Sequence, residues 1–418
     1  MHERLVTVGL RGVSVRGLGG NRAGEMRFTR FLRNCKVTVD EIFAMAEAAT
    51  AGRVSGQHIL AIQDTTSLRD DGGGRSLVAH PTIAVEAESG ALLGLVHGEM
   101  LLRAGGLQGN RKKRAFDEKQ SRRWLNGAEA AAGLTAAGAT QVTVVADRES
   151  DIYEMFACKP AGVELLVRSA QNRTLADDAG QLFAALAGQR EAGRFTVKLP
   201  AAPGRKARDA RLAVRFRPVA LKRPANRPAA GGLPEAVTVF ALEVCEIDPP
   251  PGAAPAQWRL LTTHRIESFE QARWLTGLYR KRWLIEQLFR TIKTKGFDIE
   301  RVSVAEAPFE KLAAAALVAG VSCLQLVQER DGLARRPLHD VFESADQPAL
   351  EAVSAELEGK TEKQKNPHPT GSLAFAAWVC ARLGGWTGYY GKPGPVVMLR
   401  GLYQFRAMQH GWSLARNV

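Results

Sequence analysis

Two short apolar segments that each run directly into an aspartate most constrain how this chain can fold. The run His58–Gln63 is followed by Asp64, and the β-branched run Val142–Ala146 is followed by Asp147. Short apolar runs bounded by polar, turn-prone residues are typical of buried β-strands. The sequence therefore predicts two buried strands, each with a carboxylate at its end.

Other patterns place these strands in a mixed α/β order. Further strands are predicted at Thr82–Glu86, Leu92–His97 and Val163–Val167, and helices at about 117–137 and 150–156. Three neighbouring strands, a helix and then strand–helix–strand is the order of a ribonuclease-H-like core. We therefore expect the fold class to be α/β, with such a core at its centre.

A segment between residues 195 and 263 interrupts this alternation of strands and helices. It contains β runs separated by turns rich in Pro and Gly, which predict an inserted antiparallel β subdomain. Its basic stretch Arg205–Arg227 and a second basic loop, Arg111–Arg114, are candidate DNA-binding segments.

The remaining patterns divide the chain into three domains. Residues 1–57 are expected to form an N-terminal region that begins with a poorly ordered segment, 1–28, because 1–28 is rich in Gly and Arg without a helical period. Residues 58–330 are the expected catalytic domain. It includes one helix from Ser268, with Gln271 as its capping-box partner, to about Lys295. Residues 331–418 are the expected C-terminal helical domain.

Composition narrows the functional class. Lys and Arg number 57 against 43 Asp and Glu, a net charge of +14. This excess favours a polyanionic partner, nucleic acid before membrane, although Arg-rich chains from genomes of high GC content are often basic without binding DNA. No run of about 18 apolar residues is evident, so no membrane span is expected. The five cysteines are far apart and form no C-x-x-C pair, which fits a reducing cytoplasm and argues against a zinc knuckle.

The predicted helix at 268–295 carries a stripe of polar residues. Tyr279, Arg282, Glu286 and Lys293 fall on one narrow face at about 100° per residue. One carboxylate among three potential phosphate ligands favours a phosphate-binding site, whereas a solvated helix face is the alternative interpretation.

Three carboxylates could combine in one site. Asp64 and Asp147 at two strand ends and Glu286 on the helix stripe could bracket two divalent cations, the arrangement that in-line phosphoryl transfer requires. Carboxylate oxygens suit Mg²⁺. For each aspartate alone, a helix-capping or turn role is the alternative.

Several motifs, taken in order, resemble the insertion-sequence-four family of DDE transposases. Tyr279-x2-Arg282-x3-Glu286-x6-Lys293 is similar to the Y-R-E-K signature of that family. Further resemblances lie at Gln63–Leu68, Asp117–Leu125, Asp147–Ile152, Trp258–Thr262, 371–373 and 381–385. The resemblance extends from about residue 29 to the C-terminus.

The resemblance implies a role for each matching residue. The metal-binding, catalytic triad would be Asp64, Asp147 and Glu286, holding two Mg²⁺ or Mn²⁺ ions per site. Phosphate contacts would come from Tyr279, Arg282 and Lys293. Trp258 would stack on a flipped base, with a core tryptophan as the alternative. Arg168 and Arg173 are further candidate DNA contacts.

The family also implies a reaction and partners. A metal-dependent enzyme would nick one strand of double-stranded DNA, form a hairpin at the transposon end, and join the released ends to target DNA. It would act as a homodimer on DNA, in a bacterial cytoplasm in association with the nucleoid, with no membrane partner.

The N-terminus departs from the family. The run from Arg30 to Val37 resembles a motif that lies well inside an N-terminal end-binding domain in relatives, and Thr29 replaces the usual Tyr. The resemblance therefore implies a shortened or frame-shifted product, in which residues up to 57 include the remnant of that helical end-binding domain. Two alternatives stay open: a non-transposing partner that dimerises with a full-length transposase and inhibits it, and a structure-specific nuclease.

Overall fold

A computed structural model describes residues 15–70, 76–103, 121–176, 179–201, 206–225, 232–294, 296–302, 306–389 and 391–416. Its strands are β1 (His58–Gln63), β2 (Thr66–Asp70), β3 (Ser76–Glu86), β4 (Leu92–Arg103), β5 (Gln141–Ala146), β6 (Val163–Arg168), β7 (Gly193–Leu199), β8 (Arg208–Lys222), β9 (Ala236–Glu246) and β10 (Gln257–Thr262). Its helices are α1 (Val15–Gly19), α2 (Arg22–Arg33), α3 (Val39–Ala51), α4 (Arg122–Ala136), α5 (Tyr153–Ala157), α6 (Leu182–Ala187), α7 (Phe269–Arg280), α8 (Trp283–Lys293), α9 (Glu306–Glu329), α10 (Gln347–Leu357), α11 (Leu373–Leu383) and α12 (Pro395–Arg416).

The chain forms two compact units, each built from separate segments. The first unit, which we call the helical unit, comprises Met1–Gln57, Thr65–Leu107 and Trp283–Val418. The second, which we call the sheet unit, comprises His58–Asp64 and Gln108–Arg282. Each unit is discontinuous because strands and helices far apart in the chain pack together, and the three consecutive domains expected from the sequence remain a prediction.

The sheet unit contains a seven-stranded arrangement in the order β1-β5-β6-β10-β9-β8-β7. The first three strands are parallel, and the last four continue the sheet antiparallel from β6. Buried apolar side chains fill β1 and β5 on both faces, as their sequences predict. The β runs expected within 195–263 thus form strands of the same sheet, and β10 joins them to β6.

The helical unit combines an antiparallel set of strands with eight helices of the described ranges. β3 pairs with both β2 and β4, and α9 packs against β4, α2, α3, α8, α11 and α12. Within the described residues, the helical segment Pro308–Glu329 is long and apolar enough to cross a membrane, yet 83% of its 18-residue apolar window is buried inside the structure. Ser322, Gln325 and Gln328 interrupt its apolar sequence, so the helix qualifies by its mean hydropathy and not as an uninterrupted apolar run. This burial is what the core helix of a globular unit shows.

Two local expectations also differ from the structure. Residues 1–14 lie outside the described ranges, but within 15–28, expected without regular structure, α1 and the start of α2 are helical. The side chain of Asn21 caps α2 by accepting a hydrogen bond from the Gly24 backbone N–H.

The single helix predicted over 268–295 is two helices. Its N-terminus is as predicted, because Ser268 and Gln271 form a reciprocal capping box. α7 ends at Arg280, where the Lys281 and Arg282 backbone N–H groups bond to Leu278 and Tyr279 carbonyls in i→i+3 fashion. The predicted stripe is therefore interrupted: Tyr279 lies in α7, Arg282 lies in the junction, and Glu286 and Lys293 lie in α8.

Candidate active site

The carboxyl ends of three parallel strands are aligned residue for residue. Gln63 of β1 pairs with Ala146 of β5, and Ala146 pairs with Val167 of β6. The next residues, Asp64, Asp147 and Arg168, therefore follow each other across the edge of the sheet, at the strand spacing of about 4.8 Å. We call these three residues the carboxyl edge. Strand pairing thus brings together two of the predicted catalytic residues and one predicted DNA contact.

Asp64 is held by a charged partner. Its Oδ2 lies 2.8 Å from Nη1 of Arg282, just after the end of α7, and the two side chains are 20% and 11% exposed. No helix follows Asp64, since β2 begins at Thr66. Asp64 therefore does not cap a helix.

Asp147 faces a buried phenol. The Tyr279 hydroxyl donates to Asp147 Oδ1 at 3.3 Å, and Tyr279 is buried. Burial, reinforced by the nearby Asp147 carboxylate, raises the pKa of Tyr279, so the phenol remains a neutral donor. The Asp147 side chain makes no capping bond to the 3₁₀ turn Arg148–Ser150; its backbone carbonyl accepts from Ser150 instead. The carboxylate is thus oriented toward Tyr279.

The donor set of the carboxyl edge fits a hard divalent cation. Two carboxylates on neighbouring strand ends present oxygen ligands, which Mg²⁺ and Mn²⁺ prefer. Within the described ranges, no cluster of three or more His, Cys, Asp or Glu side chains could hold an ion. The structural support for a metal site is therefore the pair Asp64 and Asp147.

Glu286 and Lys293 lie on α8 of the helical unit. Glu286 is in the first turn of that helix and half-buried. Lys293 ends the helix, with its Nζ 2.9 Å from Glu300 Oε1. Their roles as third carboxylate and phosphate ligand remain predictions.

Trp258 lies near the same edge of the sheet unit. Leu260 of β10 pairs with Arg168 at the end of β6, and β10 is antiparallel to β6. Trp258, two residues earlier and on the same face as Leu260, is therefore beyond the carboxyl end of β6. Its side chain is half-buried, and a stacking role remains a prediction.

Arg173 is buried and pairs with a carboxylate. It is 6% exposed, and its Nε and Nη2 donate to Asp151 Oδ1 at 2.8 and 2.6 Å. Asp151 Oδ2 also accepts from the Ala170 and Gln171 backbone N–H groups. This arginine therefore neutralises a buried carboxylate, and a DNA contact at Arg173 remains a prediction.

Sequence reasoning missed the anchoring role of Asp151. This carboxylate, four residues after Asp147, fixes the loop after β5 to the loop after β6. The signal was present, since Asp151 belongs to the quoted motif Asp147–Ile152. Of the two predicted basic segments, 111–114 lies outside the described ranges, as do 205 and 226–227 of the other.

The sheet and its edge define an α/β protein with a paired-carboxylate site flanked by cationic and phenolic groups, which suits phosphate chemistry. Residues 30–319 match the family model described as Transposase DDE domain. The chain belongs to the transposase DDE family, because this match covers more than half of its length. The mixed α/β fold fits a ribonuclease-H-like DDE domain. Membership implies DNA as substrate and an enzyme of the nuclease and transposase type, and domains of this family typically use divalent metal ions.

Proposed function

We propose that the chain is a cut-and-paste DNA transposase of the insertion-sequence-four family. Asp64, Asp147 and Glu286 would be its catalytic carboxylates and would hold two Mg²⁺ or Mn²⁺ ions. The observation that carries the proposal is the in-register placement of Asp64 and Asp147 on adjacent parallel strands. Glu286 is included because it belongs to the sequence motif and lies in the first turn of α8. When bound, divalent ions would activate a water and stabilise the negative charge of the leaving oxygen.

The chain's own residues supply binding and orientation. The guanidinium of Arg282 can pair with two phosphate oxygens at once, and Arg168 adds positive charge at the carboxyl edge. Tyr279 offers a neutral hydroxyl donor, and Lys293 a further phosphate contact. Trp258 would stack on a base flipped from the transposon end, which relieves strain in a hairpin.

The reaction would proceed by successive in-line displacements. Water attacks a phosphorus and the 3′-oxygen leaves as a hydroxyl. This 3′-hydroxyl then attacks a phosphorus of the opposite strand, and the 3′-oxygen of the flanking DNA leaves as the hairpin forms. A second water attacks the hairpin phosphorus and releases the 3′-hydroxyl again. The released 3′-ends attack target DNA in the same way. The protein would work as a homodimer on DNA.

The test is cleavage of a plasmid that carries the gene with its native flanking DNA, on a gel that resolves nicked, hairpin and double-strand-cut products. Asp64→Asn, Asp147→Asn and Glu286→Gln should each lower the cutting rate on the order of a thousandfold, since each removes a proposed catalytic carboxylate. Chelation should abolish cutting, and added Mg²⁺ or Mn²⁺ should restore it.

The matched control is Asp209→Asn, which makes the same chemical change at an exposed position of β8 and should cut like the wild type. Undiminished cutting by Asp147→Asn would contradict the proposal. Nicks without hairpins would indicate a plain nuclease instead of a transposase.

A further inference from the structure

We propose that Asp64 and Asp147 hold Arg282 and Tyr279 in the metal-free protein, and that a divalent ion bound by these aspartates releases both side chains to DNA phosphates. Ion binding and phosphate binding would then be coupled. The inference rests on the proposed function, since it assumes that the aspartates are ion ligands. It adds a regulatory step at the same site.

Arg282 and an ion compete for one carboxylate. Nη1 of Arg282 lies 2.8 Å from Asp64 Oδ2, and both side chains are largely shielded from water. A charge-assisted hydrogen bond in such surroundings is stronger than one on an open surface. A cation that binds Asp64 Oδ2 displaces this contact. The positive charge of the cation also repels the guanidinium of Arg282.

Tyr279 likewise competes with an ion for the carboxylate of Asp147. Its hydroxyl donates to Asp147 Oδ1 at 3.3 Å, a long bond for an O–H donor. Once an ion takes this carboxylate oxygen, the buried phenol needs another acceptor. A phosphate oxygen at the carboxyl edge would satisfy it.

The positions of Tyr279 and Arg282 allow both side chains to leave the aspartates together. Tyr279 is in the last turn of α7, and Arg282 lies three residues later, beyond the C-cap residue Lys281. Because Arg282 is outside both α7 and α8, its side chain can reorient without unwinding either helix. Both donors would thus pass from carboxylates to phosphates at one edge.

The two possible roles of Arg282, competitor of the ion or positioner of Asp64, predict opposite changes in ion affinity when Arg282 is removed. Without Arg282, the negative charges of the adjacent Asp64 and Asp147 would be less compensated. The protein without the ion would then be less stable, and the ion would bind more tightly. If Arg282 merely oriented Asp64 for the ion, its loss would weaken ion binding.

The first test is calorimetric titration of the full chain with Mn²⁺ in the absence of DNA. Arg282→Gln should bind Mn²⁺ about tenfold more tightly than the wild type, because a charge-assisted bond is lost from the competing state. Arg280→Gln, which removes the same charge from an exposed position at the end of α7, should leave the affinity unchanged. Tyr279→Phe, which keeps the buried ring, should tighten Mn²⁺ binding by a smaller factor. This variant tests the coupling if Arg282→Gln fails to fold.

The second test is DNA affinity by fluorescence anisotropy, with a labelled duplex of arbitrary sequence, with and without Mn²⁺ at constant ionic strength. Mn²⁺ should raise DNA affinity in the wild type and in Arg280→Gln by a larger factor than in Arg282→Gln. Comparing variants under the same ions removes the effect of Mn²⁺ on the DNA itself.

Two failures are separable. Asp64→Asn that leaves Mn²⁺ binding unchanged would overturn the proposed metal site, and the inference with it. Asp64→Asn that weakens Mn²⁺ binding, together with Arg282→Gln and Tyr279→Phe that fail to tighten it, would overturn only the coupling. Equal gains in DNA affinity for wild type and Arg282→Gln would also overturn the coupling.

Discussion

At the residue scale, His264 shows how burial sets a protonation state in the sheet unit. The Thr143 hydroxyl lies 2.9 Å from His264 Nε2 and 2.9 Å from His58 Nε2. One hydroxyl carries one proton, so it can donate to one of these rings while accepting from the other. Burial lowers the pKa of His264 to about 4, so the ring is neutral near pH 7.

This pKa predicts a stability loss in acid. The unfolded chain binds a proton at the ordinary histidine pKa of about 6.5, whereas folded His264 does not until about pH 4. The free energy of unfolding should therefore be insensitive to this group above pH 7 and fall by about 2 to 3 kcal/mol by pH 4.5. Urea unfolding at both pH values measures it.

Carboxylates contribute to the same acid loss, so the comparison with His264→Gln isolates the histidine. That variant should lose less stability between pH 7 and pH 4.5 than the wild type. An identical loss in both proteins would show that His264 takes no part.

The buried pair of Asp151 and Arg173 predicts a large mutational effect. Arg173→Met removes the charge that compensates Asp151, whose side chain is 0% exposed. The free energy of unfolding should fall by about 3 to 5 kcal/mol. Arg194→Met breaks an ion pair on the surface, with Glu191, and should change little in the same denaturation experiment. Similar losses in the two variants would argue against a stabilising role specific to the buried pair.

At the element scale, strands were more predictable than helix ends. Apolar, β-branched sequence identified β1 and β5 because both are buried on their two faces. The break between α7 and α8 was not predictable, since residues 269–293 keep a helical period and contain no proline. Tertiary contacts, among them the pair of Arg282 with Asp64, accompany the break.

The same contrast holds for the candidate site. The positions of Asp64 and Asp147 at neighbouring strand ends were predictable because each directly follows a strong strand signal, whereas their catalytic role remains a prediction. The burial of Arg173 was not, because its partner Asp151 is 22 residues away in sequence, and periodicity reports nothing about such a contact. Residues that act through long-range pairing require the structure.

The crossing of α11 and α12 predicts an asymmetric effect of two glycine substitutions. A Cβ at Gly401 would lie 1.6 Å from the Cys380 carbonyl oxygen, whereas one at Gly411 meets nothing within 4 Å. Gly401→Ala should therefore lose about 1 to 3 kcal/mol of stability through overpacking. Gly411→Ala in the same helix should gain up to about 1 kcal/mol from helix propensity. Thermal and urea unfolding would measure both, and a neutral Gly401→Ala would refute the close crossing.

At the scale of the whole molecule, the net charge of +14 predicts DNA binding that is sensitive to salt. Release of counterions from about six to ten phosphates would lower affinity by about 10³ to 10⁵ between 50 and 200 mM salt. A filter-binding or anisotropy series across that range measures the slope. A flat series would contradict an electrostatic interface.

The alignment of the carboxyl edge makes the proposed site dependent on correct strand register. Side chains alternate between the faces of a sheet, so a slip of β5 by one residue would carry Asp147 to the opposite face from Asp64. A chain with the wrong register would then lack the paired carboxylates. Under the proposed function, the ability to cut DNA would thus be restricted to molecules whose strands have paired in this register, and strand pairing would protect the host genome from misfolded copies.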